Sequence, residues 1–209
     1  MRGDLTVYAA LFREYGPPPV MRWEQVPDPR PGPGEVVIAV RACGLNHCDL
    51  DSRAGTSRWT FPLPHVLGAE FAGFIDDIGP GAGDWDIGQP VTALQQYACG
   101  TCARCRAWRP DRCLHFTVFG TDCWGGYAER VLVPAHALIP LDGPYDFVTA
   151  AAAQCVVSTA WHMVMVMARA HDGQTLLIPS ASGGVASAAV QCARLAGARV
   201  IATEVTPPE

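Results

Sequence analysis

With 209 residues, 49 % of them apolar, the chain can bury one good core and the beginning of a second. A net charge of −5 leaves no basic footprint, which argues against nucleic acid as a partner. Residues 1–8 contain no apolar core of signal-peptide length, so a cytoplasmic location is expected.

From residue 5 to about residue 140 the signals are short strands separated by breakers. Residues 6–11, 20–23, 35–41 and 68–75 carry β-branched or alternating apolar side chains and are the expected strands. Gly16-Pro-Pro-Pro19, the proline- and glycine-rich stretch over 27–34, and Gly79-Pro-Gly-Ala-Gly83 lie between them as turns. This grammar predicts an all-β N-terminal domain over residues 1–140, a small barrel or sandwich.

A cysteine cluster interrupts that domain as a loop excursion over 99–113. Cys99, Cys102, Cys105 and Cys113 follow the pattern C-x2-C-x2-C-x7-C. Four thiolates in that spacing suit one tetrahedral Zn²⁺ with no open position, hence one structural metal per chain. Gly100 permits the turn, and Arg104, Arg106, Arg109 and Arg112 offset the thiolate charge. Two disulfides are the alternative in an oxidising compartment. In a reducing one, Cys43, Cys48, Cys123, Cys155 and Cys192 remain as thiols.

After residue 140 the pattern changes. Helices are expected over 146–153 and 156–170, ended by His171-Asp-Gly173. Residues 147–168 carry no formal charge and could span a bilayer by length. Their alanine content and the interruptions at Gln154, Ser158, Thr159 and His162 favour two consecutive buried helices and no membrane. A strand over 174–179, a helix opening at Ser182-Gly-Gly-Val-Ala186 and running to 196, and a strand over 199–203 then form the start of a dinucleotide-binding fold. The N–H groups of Gly183 and Gly184, at a helix start, could take a pyrophosphate. Thr206-Pro-Pro-Glu209 offers no further strand, and two parallel strands cannot cover their own faces. Residues 141–209 therefore read as a helical linker and the first βαβ unit of an incomplete cofactor domain. The expected complement is a homo-oligomer or a second chain that supplies the rest, with an exposed apolar face and self-association until it does.

Taken together, several motifs resemble the medium-chain dehydrogenase/reductases, the zinc-containing alcohol dehydrogenase and quinone oxidoreductase superfamily. In order they are Pro31-Gly-Pro-Gly-Glu35, Ala42-Cys-Gly-Leu-Asn-His-Cys-Asp49, Leu67-Gly-Ala-Glu-Phe-Ala-Gly73, the four-cysteine lobe, Gly125-Gly-Tyr-Ala-Glu129, Ser158-Thr-Ala-Trp-His162 and Ser182-Gly-Gly-Val-Ala186. The resemblance implies an α/β protein: an all-β, GroES-like N-terminal barrel followed by a Rossmann domain, with the active site in the cleft between them. It also implies a cofactor domain that normally continues beyond residue 209.

By the same resemblance, the four cysteines match the structural zinc ligands. Asn46 stands where zinc-dependent members place a catalytic cysteine, and Gly68-Ala-Glu70 stands in place of Gly-His-Glu. Glu70 and Cys155 match the remaining carboxylate and thiolate, too few for a catalytic ion. Cys43, His47, Cys48 and His65 could each bind zinc, but strand alternation turns a neighbour one position away to another face. Without a Lewis acid, hydride addition to an electron-poor alkene or quinone is easier than alcohol oxidation. Gly44-Leu-Asn46 resembles the zinc-free branch, which makes Asn46 either a substrate-orienting amide or a turn cap.

The resemblance further places His47 against the cofactor pyrophosphate. It places Thr159 on the nicotinamide, with helix packing as the plain alternative. Asp49 orients backbone or a neighbouring basic residue. Gly183, Gly184 and Val185 resemble the quinone-reductase cofactor loop Ala-x-Gly-Gly-Val-Gly, with Ala186 at the third glycine position. Glu204, about 20 residues on, would accept from a ribose 2′-hydroxyl, favouring NAD(H) over NADP(H). The expectation is an NAD(P)H-dependent oxidoreductase reducing a conjugated carbonyl of a small-molecule substrate. The alternatives are a truncated, non-catalytic GroES-like binding module and a zinc alcohol dehydrogenase with a rebuilt metal site.

Overall fold

Apolar alternation and turn punctuation set the order of elements in the computed structural model, which describes residues 6–144 and 146–205. The first elements are β1 (Thr6–Phe12), β2 (Arg22–Pro27), β3 (Glu35–Cys43), α1 (His47–Ala54), β4 (His65–Val66), β5 (Phe71–Ile78), β6 (Pro90–Ala93), β7 (Gln96–Tyr97), α2 (Ala103–Arg106), β8 (Thr117–Val118), β9 (Arg130–Pro134) and β10 (Leu138–Pro140). The helix α3 (Phe147–Trp161), the strand β11 (Thr175–Pro179), the helix α4 (Gly184–Leu195) and the strand β12 (Arg199–Thr203) follow. Two compact units result, one ending at Ala152 and the other starting at Ala153. The motifs read at residues 1–5 and at Thr206 to Glu209 lie outside the described residues.

The first unit is all-β in its sheets. One sheet has the order β2-β1-β4, and a second has the order β10-β6-β5-β3-β9, every pair antiparallel. Val36, Ile38, Phe71, Ile75, Val91, Phe119, Val131 and Val133 form the main core, because period-2 side chains of β3, β5, β6 and β9 converge on it. Val7, Ala9 and Leu11 of β1 pack with Val26 and Val66 in a second cluster. The small β7–β8 ribbon carries the cysteine lobe as an excursion.

Three expectations change. The strand expected over 20–23 begins at Arg22, because Pro18–Val20 forms a 3-10 turn in which prolines fix φ and remove donors. The strand expected from Gly68 begins at Phe71, since Gly68 has φ +99°, a left-handed conformation that interrupts extension. The two helices expected after residue 145 are one: with no proline or glycine to break it, α3 runs straight into a π-helical segment, His162–Met167.

That run is also not buried as expected. Val148, Val157, Trp161, Met163, Val166 and Met167 are exposed, and among the described residues Phe147–Met167 is long and apolar enough to cross a membrane by length and composition. In the second unit β11 and β12 pair in parallel, with Thr175 opposite Arg199 and Ile178 opposite Ala202. Ala188, Ala189, Cys192 and Ala193 of α4 close one side with Ile178, Ala160 and Val164. The strand–turn–helix–strand order is the one the sequence implied.

His65 is fully buried in β4, stacked on Phe61 at 4.8 Å and edge-on to Phe12 at 6.1 Å. Burial holds its pKa below the ordinary value near 6.5, an effect the Gly120 backbone offsets only in part. Unfolded His65 therefore takes up a proton that folded His65 refuses, so stability begins to fall as pH drops through about 6.5 and keeps falling toward the folded pKa. A melting temperature measured between pH 7.5 and 5 should decline in the native chain and decline less in His65→Phe; equal slopes would contradict this assignment.

Candidate functional site

In the first unit the predicted residues Asn46 and Asp49 meet at the start of α1. Asn46 is extended at φ −118°, ψ 156° and caps the helix, and its backbone N–H donates to the Asp49 carboxylate at 2.9 Å. Its side-chain Nδ2 donates to Glu70 Oε1 at 2.7 Å. Asn46 thus caps the helix, and the Glu70 carboxylate fixes the orientation of its amide.

Glu70 is only 3 % exposed and comes into place just ahead of β5. Its backbone carbonyl accepts from Gly44 N–H at 2.7 Å, and a Cβ at Gly44 would overlap the Glu70 carboxylate. Glycine at 44 is therefore what opens the slot for this side chain. At Gly68 a Cβ would collide with Cys43 Sγ and the Tyr127 ring, which adds a steric requirement to its positive φ.

Asp49 is buried, and its Oδ2 accepts from the Tyr127 hydroxyl at 2.9 Å as well as from Asn46 N–H. Its carboxylate therefore faces a backbone N–H and a phenol. Tyr127 lies within the motif Gly125-Gly-Tyr-Ala-Glu129, but its partnership with Asp49 across 78 residues has no local sequence signal. Burial first, and Asp49 second, push the Tyr127 hydroxyl well above its usual range, so it stays a donor. The same two causes, with Glu70 third, raise the Cys43 thiol far above its usual value. Cys48 is raised by burial and then by Asp49. Neither thiol is an anion near neutral pH. His47 is exposed, with Nε2 3.9 Å from Asp51.

The four lobe cysteines converge. Their sulfurs lie within 4.8 Å of one another, with Cys102–Cys105 and Cys113–Cys99 at 3.5 Å, Cys102–Cys113 at 3.9 Å and Cys99–Cys105 at 4.0 Å. A tetrahedral ion at about 2.3 Å from each sulfur needs sulfurs about 3.8 Å apart, so the set could hold a metal ion. These separations are far beyond a disulfide, and no disulfide forms among the described residues. Backbone N–H groups point at the sulfurs: Cys102 N at 3.4 Å from Cys99, Cys99 N and His115 N each at 3.3 Å from Cys113. Such donors, from Leu114 and then Cys105, pull the Cys102 thiol down to about 6, and those of Thr101 and Cys102 lower Cys99. Burial and its sulfur neighbours push Cys105 up to about 12. Gly100 has φ +72°, the turn the sequence assigned to it.

The second unit presents the glycine turn. Gly183 is the N-cap of α4, but its N–H is taken by Ser180 O at 2.9 Å. The first helical bond, Ser187 N–H to Gly183 O, leaves the N–H groups of Gly184, Val185 and Ala186 outside the ladder. The expected anion donors thus shift one residue on. Glu204 folds back on this turn, its Oε2 accepting from Ser182 N–H at 2.8 Å and its Oε1 from Val205 N–H at 3.0 Å. The Ser182 interactions, first, hold its carboxyl below the usual range. Thr159 and Cys155 are half-buried on α3.

Residues 32–143 match the family model of the alcohol dehydrogenase GroES-like domain. The chain is 29 % identical over 187 residues to an acryloyl-coenzyme A reductase of Sulfurisphaera tokodaii, covering 89 % of this chain and 55 % of that protein. It is 31 % identical over 202 residues to the quinone oxidoreductase of Rattus norvegicus, covering 96 % and 54 %. The crystal structure of an NAD-dependent alcohol dehydrogenase superposes with a TM-score of 0.89 at 38 % identity, covering 95 % of this chain and 58 % of that one. The chain spans about half the length of the curated relatives it matches.

Tyr127→Phe leaves the buried Asp49 carboxylate short of one donor, which should cost about 1–2 kcal/mol. Chemical denaturation read by circular dichroism should show the midpoint fall with an unchanged slope; a midpoint equal to wild type would remove Tyr127 from the network.

Proposed function

Because this chain belongs to the alcohol dehydrogenase GroES-like family, we propose that it is the barrel and first cofactor-binding segment of an NAD(P)H-dependent oxidoreductase that reduces a conjugated carbonyl, an enone or a quinone, without a catalytic metal. The observation that carries this reading is the Asn46–Glu70 pair. An amide donates to a buried carboxylate where a metal site would need donors, Ala69 offers none, and the Cys43 thiol keeps its proton. A rebuilt zinc site at these residues is a poor fit for the same reasons.

Asn46 orients the substrate carbonyl. Glu70 takes one Nδ2 hydrogen and so fixes the amide, leaving its second N–H for the substrate. Asp49 and Tyr127 hold the turn that carries Asn46. A bound reduced nicotinamide supplies the hydride. In the second unit the N–H groups of Gly184 and Val185 would receive its pyrophosphate, and Thr159 would serve the nicotinamide ring. Glu204, which accepts from Ser182 N–H, would be the carboxylate to serve the adenosine ribose by exchanging that bond, which would favour NAD(H). The four-cysteine lobe holds one structural Zn²⁺, consistent with its sulfur spacing.

Leu177 and its register partner Ile201 are exposed, as are Trp161 and Met167, and further polypeptide, from a longer chain or a second one, would cover them. Nine cysteines with no disulfide among the described residues suit a cytoplasmic protein.

Titration with NADH and NADPH followed by nicotinamide fluorescence should show binding with a preference for NADH. Added naphthoquinone should oxidise the bound NADH, and Asn46→Ala should lower that rate about tenfold to a hundredfold with NADH affinity retained. Absence of binding for either nucleotide at millimolar concentration would overturn the reading.

A further inference from the structure

The cysteine lobe carries a surface that neither its metal nor the proposed chemistry uses. Trp108, between Cys105 and Cys113, is 91 % exposed and sits at φ +59°, a left-handed conformation that a bulky side chain adopts only at a cost. Exposed Arg104, Arg106, Arg109 and Arg112 surround it in sequence, in a chain of net charge −5. Asp111 takes Arg109 through two bonds of 2.9 and 2.7 Å and lies 3.9 Å from Arg112. Among the described residues Arg104 and Arg106 have no ion-pair partner. The four guanidiniums outnumber Asp111 even when the double negative charge of a zinc tetrathiolate is added to it.

The same unit carries a surface of opposite character. In the turn between β5 and β6, Asp84 and Asp86 are exposed and flank a half-buried Trp85, and Ile87 follows, 69 % exposed. We propose that the lobe docks on this acidic turn of a second copy of the chain, so that Trp108 packs on Ile87 while Arg104 and Arg106 face Asp84 and Asp86. Charge selects this pairing: lobe against lobe would set arginines against arginines. A two-fold exchange makes the contact twice, since each copy offers both surfaces. Tryptophan and arginine are also the side chains that most often carry binding energy at interfaces. The inference rests on the lobe and not on the redox reading, and would stand if no nucleotide bound.

The test is light scattering of the zinc-loaded chain across concentration at 50 and 500 mM NaCl. Zinc content confirms that each variant keeps its lobe. The wild type should form dimers at low salt whose dissociation constant rises about tenfold or more at high salt. Trp108→Ala should weaken association about tenfold or more. Arg104→Glu with Arg106→Glu, and Asp84→Arg with Asp86→Arg, should each lose the salt-sensitive association alone and recover it when mixed, because the reversed charges match across one contact. A wild-type monomer at both salts, association that Trp108→Ala leaves unchanged, or reversed pairs that fail to recover on mixing would each overturn the proposal.

Discussion

The hydrogen bond from Asn46 Nδ2 to Glu70 joins the segments on which the site in the first unit depends. A carboxylate as buried as Glu70 is costly unless donors face it, and the chain answers with an amide and with a glycine at 44 that leaves room. The backbone of the same asparagine holds Asp49, and Asp49 holds Tyr127. The end of β3, the start of α1, the entry to β5 and the approach to β9 are thereby locked by a few polar contacts. The hydrophobic barrel places these segments near one another; the polar contacts fix which atoms face the site.

The four-sulfur cluster and the Asn46–Glu70 pair are distinct features of the first unit. The lobe gathers four sulfurs under backbone N–H donors that favour thiolates, a setting in which ion binding energy becomes folding energy. At Asn46 and Glu70 the polar groups already satisfy one another. Under the proposed function, an amide in that position would offer a hydrogen bond to a substrate oxygen in place of Lewis acidity, which would suit acceptors that delocalise charge within themselves.

Much of this was legible in the sequence, for identifiable reasons. The lobe is local: four cysteines within fifteen positions and a glycine with φ +72° fold around one point almost regardless of context. The βαβ unit is legible because its strands are apolar and its turn is glycine-rich. The links from Asn46 to Glu70 and from Asp49 to Tyr127 span 24 and 78 residues, and no periodicity encodes them. Within the glycine turn, residue identity did not reveal that Ser180 O would consume the Gly183 N–H or that Glu204 would reach back to Ser182. The unbroken run of α3 was missed because a polar break at Gln154 reads like an end, although only proline or glycine would have made it one.

The central claim is that a metal belongs in the cysteine lobe and not beside Asn46. Titration of the metal-free chain with Co²⁺, read by visible absorption, tests it most directly. Saturation is expected at one equivalent, with intense sulfur-to-cobalt charge-transfer bands of a tetrahedral four-thiolate site, unchanged by Asn46→Ala. A second equivalent binding with a distinct spectrum that Glu70→Gln abolishes would contradict it.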